Sequence, residues 1–239
     1  MQGLSATQIM RIWERGVDRP PLERALTVLA EAQPEANPQA LGALPISARD
    51  KRLMALREAT FGPEFCAVAS CAACGERIEM RFQASSVRSN HVDPPAPTMV
   101  ETDGLRLRVR AVTTADLVLA AVCPDAESAR RLLAERCAGL EGGATIAGVL
   151  DDDAIDAVER EVERVDPNAV CALETACPAC RMSQEYELDI AQYLWIEIEV
   201  EAERLLRDVH IIARAYGWPE ADILAMTPLR RRAYLELLG

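Results

Sequence analysis

Apolar residues recur at helical spacing through both ends of the chain and give way to strict alternation in a few short stretches, two of which follow a Cys-x-x-Cys pair. Near the start, Ile9, Met10, Ile12 and Trp13 form the stripe of a first helix, with Ser5 or Thr7 as its cap and Gly16 as its end. Pro20 and Pro21 open a second helix, whose Leu22, Ala25, Leu26, Leu29 and Ala30 share a face until Pro34 stops it. A third follows Ser47 and runs through Arg57, with Ser47 and Asp50 spaced as a capping box.

Ile78, Met80 and Phe82 alternate with polar residues and predict a strand after the first cysteine pair; Tyr186, Leu188 and Ile190 predict its counterpart after the second. Between them, the proline-rich HVDPPAPT reads as a linker and LRLRVRAV as another strand. Thr113 with Asp116 caps a helix containing Leu117, Ala120 and Ala121. Two more helices are expected from Asp125 to Cys137 and from Asp151 to Val165, the latter burying Ile155, Val158, Val162 and Val165. A long helix from Asp189 carries Leu194, Ile198, Leu205, Val209, Ile212 and Tyr216 until Gly217-Trp218-Pro219 interrupts it, and a helix-turn-helix ends in RRRAYLELLG.

This pattern predicts an α+β fold, mostly helical. A helical region (1–62) and a C-terminal helical region (191–239) flank a split four-cysteine zinc ribbon (63–90 and 171–190), which is interrupted by a strand plus helical insertion (91–170). Half of the 239 residues are apolar and only 4% aromatic, which suits helix packing. The opening segment carries charges inside its helical pattern, unlike a signal peptide, and no apolar run approaches the roughly 20 residues of a membrane span. A cytoplasmic location is expected, without a membrane partner, and thiols there stay reduced.

Charge narrows the partners further. Of the net −12, most lies between Asp151 and Glu203, where sixteen acids face only Arg160, Arg164 and Arg181, which argues against nucleic acid. The triplet Asp151-Asp152-Asp153 complements a helix N-terminus rather than forming a metal site. Arg106, Arg108 and Arg110 share one strand face, read as solvated or as facing an acidic partner or helix.

The cysteines carry the chemistry. Cys71-Ala-Ala-Cys74-Gly75 and Cys177-Pro-Ala-Cys180 each offer two sulfurs from one tight turn. Together the four thiolates would close a tetrahedral site around one structural Zn2+ per chain, leaving no open position for catalysis. A redox dithiol is the competing reading, but such pairs open a helix after a buried strand, whereas each pair here precedes a strand. Cys66 and Cys171 each precede a knuckle and are expected to be buried thiols rather than ligands.

No Gly-rich phosphate loop, His-Glu-x-x-His or nucleophile with an adjacent base is recognisable, and His91 and His210 lie far apart in the sequence. No catalytic residue and no small-molecule substrate are therefore expected. Trp13 and Trp218, with Arg230, Arg231 and Arg232, mark the candidate partner-binding surface, because aromatic and arginine groups dominate interfaces.

The opening LSATQIMRIWERG, the two knuckles and the ending VHIIARAYGWPEADILAMTPLRRRAYLELL together resemble the family of the T4-type phage baseplate hub assembly protein, found in contractile tails and phage-tail-like contractile injection systems. YGWPEADIL joined with RRRAYLELL and Trp-Glu-Arg-Gly is the most specific part, while residues 91–168 match nothing in it. The resemblance implies a non-enzymatic assembly chaperone or structural component that contacts other baseplate, hub or spike proteins in the producing cell or the finished particle. A zinc-ribbon regulator that binds nucleic acid, or a Cys-x-x-Cys thiol oxidoreductase, are the alternatives.

Overall fold

Ser5 accepts a hydrogen bond from the amide of Gln8, whose side chain returns to the Ser5 amide, and this capping box starts helix α1 (Ala6–Gly16) in the computed structural model, which describes residues 2–85, 96–102, 104–140, 146 and 148–238. Helices α2 (Pro21–Ala32), α3 (Pro38–Gly42) and α4 (Ile46–Phe61) follow. Strands β1 (Glu64–Ser70) and β2 (Arg77–Gln83) form the first hairpin. The insertion supplies β3 (Thr98–Thr102), β4 (Leu105–Val109), α5 (Thr114–Ala120), α6 (Ala126–Cys137), β5 (Ala138–Leu140) and α7 (Asp152–Val165). A second hairpin, β6 (Ala172–Ala176) and β7 (Ser183–Glu187), leads into the long helix α8 (Ile190–Tyr216), then α9 (Glu220–Leu224) and α10 (Pro228–Glu236). The fold is thus α+β and just over half helical, with three small antiparallel sheets among the described residues.

Three apolar centres organise it. The largest joins α1, α2 and α4 to α8 through Ile12, Leu29, Leu53, Leu56, Leu194, Ile198 and Leu205, all fully buried, and takes in Phe65 and Leu188 from the roots of the two hairpins. The second lies in the insertion, where Leu107 and Val109 of β4 pack on Ala134, Ile155 and Val158 of α6 and α7. The third is small: Cys71, Ile78 and Cys177, flanked by Met80 and Tyr186.

The insertion is stitched to the helical body by polar contacts. Pro45 and Thr113 form an isolated bridge, the Ile46 amide donates to the Val112 carbonyl, and the buried Ser47 amide donates to Asp166 at 3.2 Å. Behind them, Asp116 is fully buried between Arg110 (2.6 Å) and Arg136 (2.6 Å) while it also caps α5 through Thr113. Burial alone would raise its pKa, but the two guanidinium groups and the Thr113 hydroxyl hold this carboxyl well below the usual range.

Several sequence expectations are corrected here. Helix α4 begins at Ile46 with Pro45 in the capping position, so Ser47 sits inside the first turn; its Oγ has no hydrogen-bond partner among the described residues, and Asp50 pairs with Arg49 instead. The arginine row is not uniform either. Arg106 and Arg108 are exposed, whereas Arg110, just past the strand, turns in to Asp116 because that buried carboxylate needs a partner. Cys66 is exposed rather than buried, since alternation along β1 sends its neighbour Phe65 inward, while Cys171 is half-buried against the main core. His91 lies outside the described residues, and His210 is exposed on α8.

Candidate metal centre

Each knuckle is a tight turn at the tip of a hairpin, and the two are built alike. The Cys71 amide donates to the Glu76 carbonyl and the Gly75 amide to the Cys71 carbonyl; in the second hairpin Cys177 donates to Met182 and Arg181 to Cys177 in the same way. The residue after the second cysteine is left-handed in both, Gly75 at φ 76° and Arg181 at φ 63°. This curls the two sulfurs of each pair toward one point.

The hairpins meet tip to tip and bring Cys71, Cys74, Cys177 and Cys180 together, with all four sulfurs within 4.8 Å of one another. Sulfur separations between the pairs are 3.7 Å for Cys71 to Cys180 and 3.7 Å for Cys74 to Cys177. That is far beyond the roughly 2.05 Å of a disulfide. The first cysteine of each pair is buried and the second exposed, so the cluster lies at the surface with one side covered by Ile78, Met80 and Tyr186.

Hydrogen bonds fix the sulfurs from outside. Gln184 donates from Nε2 to Cys71 Sγ at 2.8 Å, while its Oε1 accepts from the Ala72 amide and the Tyr186 hydroxyl. Gln184 thereby ties the second hairpin to the first knuckle. Burial opposes ionisation at Cys71, but the amides of Cys74 and Ala73 outweigh it and bring the thiol down to about 6. At Cys74 the Glu76 amide favours the thiolate, yet the bond shared with Cys71 and burial push it up to about 12. Four thiols this close cannot all ionise unaided, so full thiolate character requires a cation at their centre.

The other sequence-predicted residues do not join this centre. Trp13 is half-buried and packs on the main core. Trp218 stacks on Tyr216 at 4.6 Å and meets Tyr234 edge-on at 4.9 Å, with Arg230 lying over Tyr234. The arginine triplet divides: Arg230 and Arg232 are exposed, but Arg231 is 1% exposed and directs Nε to Asp208 at 3.2 Å, so it belongs to the interior and not to a partner surface. Helix periodicity explains the split, since consecutive residues of α10 point 100° apart.

Sequence reading missed the groups that hold the hairpin roots. Arg57 pairs with Glu197 at 2.6 Å, donates to the carbonyls of Gly62 and Glu64, and lies over the Phe65 ring at 4.0 Å. The Tyr193 hydroxyl bonds to both the amide and the carbonyl of Cys66. Only a charged residue at a core position of α4 could have hinted at this. The described residues contain no helix long and apolar enough to cross a membrane. No family model, curated protein or solved structure matches the chain.

Proposed function

We propose that the four cysteines hold one structural zinc ion and that the chain is a non-enzymatic assembly or structural protein of a contractile-tail baseplate. The observation that carries the zinc reading is the 3.7 Å spacing between sulfurs of opposite knuckles. A tetrahedral zinc with sulfurs at about 2.3 Å sets them about 3.8 Å apart. Such a site is a zinc ribbon split by the insertion, and the ion contributes folding free energy by joining two hairpins distant in sequence.

The baseplate reading rests on the resemblance of the chain's two ends to the hub assembly family. It is supported by their proximity in the fold: Ile9 and Ile12 of the opening and Leu224 of the ending share one core. Partners are then other baseplate, hub or spike proteins, met in the cytoplasm of the producing cell, on a surface that includes Trp218, Arg230 and Arg232.

Native mass spectrometry of the intact protein tests the zinc. One zinc per chain is expected, lost with reduced thermal stability on replacing Cys71, Cys74, Cys177 or Cys180 by serine. A metal-free chain that forms a disulfide within either pair would instead establish dithiol chemistry. Pull-down with the tail proteins of the same particle tests assembly; capture of none of them, with salt-dependent binding to DNA or RNA, would favour the zinc-ribbon regulator.

A further inference from the structure

A closed four-sulfur site has no open position for a substrate, but its sulfurs keep their own reactivity. The four cysteines differ in access: Cys74 and Cys180 are exposed, whereas Cys71 and Cys177 are buried. Each of the two short contacts across the hairpins joins one of each kind, Cys71 to Cys180 at 3.7 Å and Cys74 to Cys177 at 3.7 Å. A sulfur that an oxidant can reach therefore sits beside a sheltered one in both contacts, the arrangement of an attacked thiol and a resolving thiol. The backbone favours joining these pairs over joining the two sulfurs of one knuckle. Each knuckle turn is fixed by its own hydrogen bonds, Gly75 to Cys71 and Cys71 to Glu76 in the first, Arg181 to Cys177 and Cys177 to Met182 in the second. A disulfide within a knuckle closes a small ring that must accommodate that fixed turn. A disulfide across the hairpins draws its sulfurs only about 1.6 Å closer, to the roughly 2.05 Å of an S–S bond, by side-chain rotation. The Ala72 amide and Gln184 Oε1, 3.0 Å apart, already hold the two hairpins in register for it.

We infer that the four cysteines are an oxidation site, at which hydrogen peroxide replaces the metal clasp by two disulfides across the hairpins, Cys71–Cys180 and Cys74–Cys177. Peroxide meets the exposed Cys74 thiolate first: an S–O bond forms, the O–O bond breaks and hydroxide leaves, so that the sulfur becomes a sulfenic acid. The sheltered Cys177 thiolate then attacks that sulfur; the S–S bond forms as the S–O bond breaks, and a second hydroxide leaves. Cys180 and Cys71 react in the same way with a second peroxide. Two peroxides are reduced, four thiolates become two disulfides, and the ion goes into solvent because no thiolate is left to hold it. The hairpins, joined across 109 and 103 positions of the sequence, stay tied together throughout. The loss of zinc rests on the zinc reading, whereas the pairing rests on the sulfur geometry alone.

Peptide mapping after peroxide treatment and blocking of the remaining thiols tests the pairing, on the natural full-length chain and on one carrying Cys66→Ser with Cys171→Ser. Trypsin leaves Cys71 and Cys74 in one fragment (58–77) and Cys177 and Cys180 in another (165–181). The two fragments are expected as a disulfide-linked pair that has lost its thiol hydrogens and gained no oxygen, with fragmentation placing Cys71 on Cys180 and Cys74 on Cys177. A zinc indicator should report release in step with the link, and the oxidised chain should melt above the reduced chain stripped of metal. Two unlinked fragments, each lighter by its own thiol hydrogens, place the disulfides within the knuckles and overturn the pairing. Sulfurs that gain oxygen without linking, or thiols unchanged in excess peroxide, overturn the oxidation site itself. Native mass spectrometry before treatment reads the zinc separately, so a metal-free chain sinks the zinc reading while the same mapping still decides the pairing.

Discussion

Gly75 and Arg181 occupy the same place in the two knuckles, each directly after the second cysteine and each in the left-handed region, at φ 76° and φ 63°. Only the first is free of Cβ strain, although open space surrounds the position where a Gly75 Cβ would sit. Gly75→Ala should therefore cost about 1 kcal/mol through backbone conformation alone, whereas Arg181→Gly should be neutral to mildly stabilising. Chemical denaturation of the folded protein reads both, and equal effects at the two sites would show that the turns are not equivalent.

Arg231 is the buried member of a triplet whose neighbours are exposed. Arg231→Ala leaves Asp208 almost buried, with Arg204 at 3.9 Å its one remaining ion-pair partner among the described residues. A loss of about 3 kcal/mol is expected, against less than about 0.5 kcal/mol for Arg230→Ala or Arg232→Ala. Urea midpoints for the three variants separate the interior role from a surface role.

Asp116 couples stability to acid. Its carboxyl is held below the ordinary range in the folded chain, so the stabilisation is complete above the unfolded pKa of roughly 4 and drains away as pH falls from there toward the folded value. Asp116→Asn removes that dependence along with the Arg110 and Arg136 pairs, at an expected cost of about 3–5 kcal/mol near neutral pH. Comparing melting temperatures from pH 7 to pH 3 should show the variant's deficit shrinking at the acid end; a constant deficit would mean that Asp116 is not the titrating group.

Gly16 ends α1 against the Cζ3–Cη2 edge of the Trp195 ring. A Cβ there would lie 2.5 Å from the indole ring, which is itself fully buried and covered on its other contacts by Arg24 at 4.6 Å. Gly16→Ala should destabilise by about 2–3 kcal/mol, and the fluorescence of the folded protein should shift as the indole moves. An unchanged midpoint would mean that α1 can retreat without loss.

Much of this architecture is legible from spacing. The cap at Thr113 and Asp116, the ends of α6 and α7, and the full run of α8 follow from local rules, as does the pairing of the four cysteines, because strong periodic segments and ligand spacing survive without tertiary information. What failed was long-range. Strands β1 and β3 gain their identity from partners across a hairpin, and β3 is too short and polar to announce itself. Ser47 has the composition of a cap, but Pro45 takes that position and tertiary contacts bury the serine amide against Asp166. Arg231 and Arg57 are charges whose burial depends on carboxylates from a different helix, which no local window contains.

The knuckles also set a timetable for biosynthesis. Cys74 and Cys177 are 103 positions apart, so at 5–20 residues per second the first pair leaves the ribosome roughly 5–20 s before the second can join it. For that interval Cys71 and Cys74 are an incomplete pair of thiols, open to oxidation or to the wrong metal, while the insertion between them is still being made. The clasp can shut only after Cys180 is synthesised, so capture of the proposed zinc would be a late checkpoint: a chain stalled within the insertion cannot assemble the four-cysteine cluster.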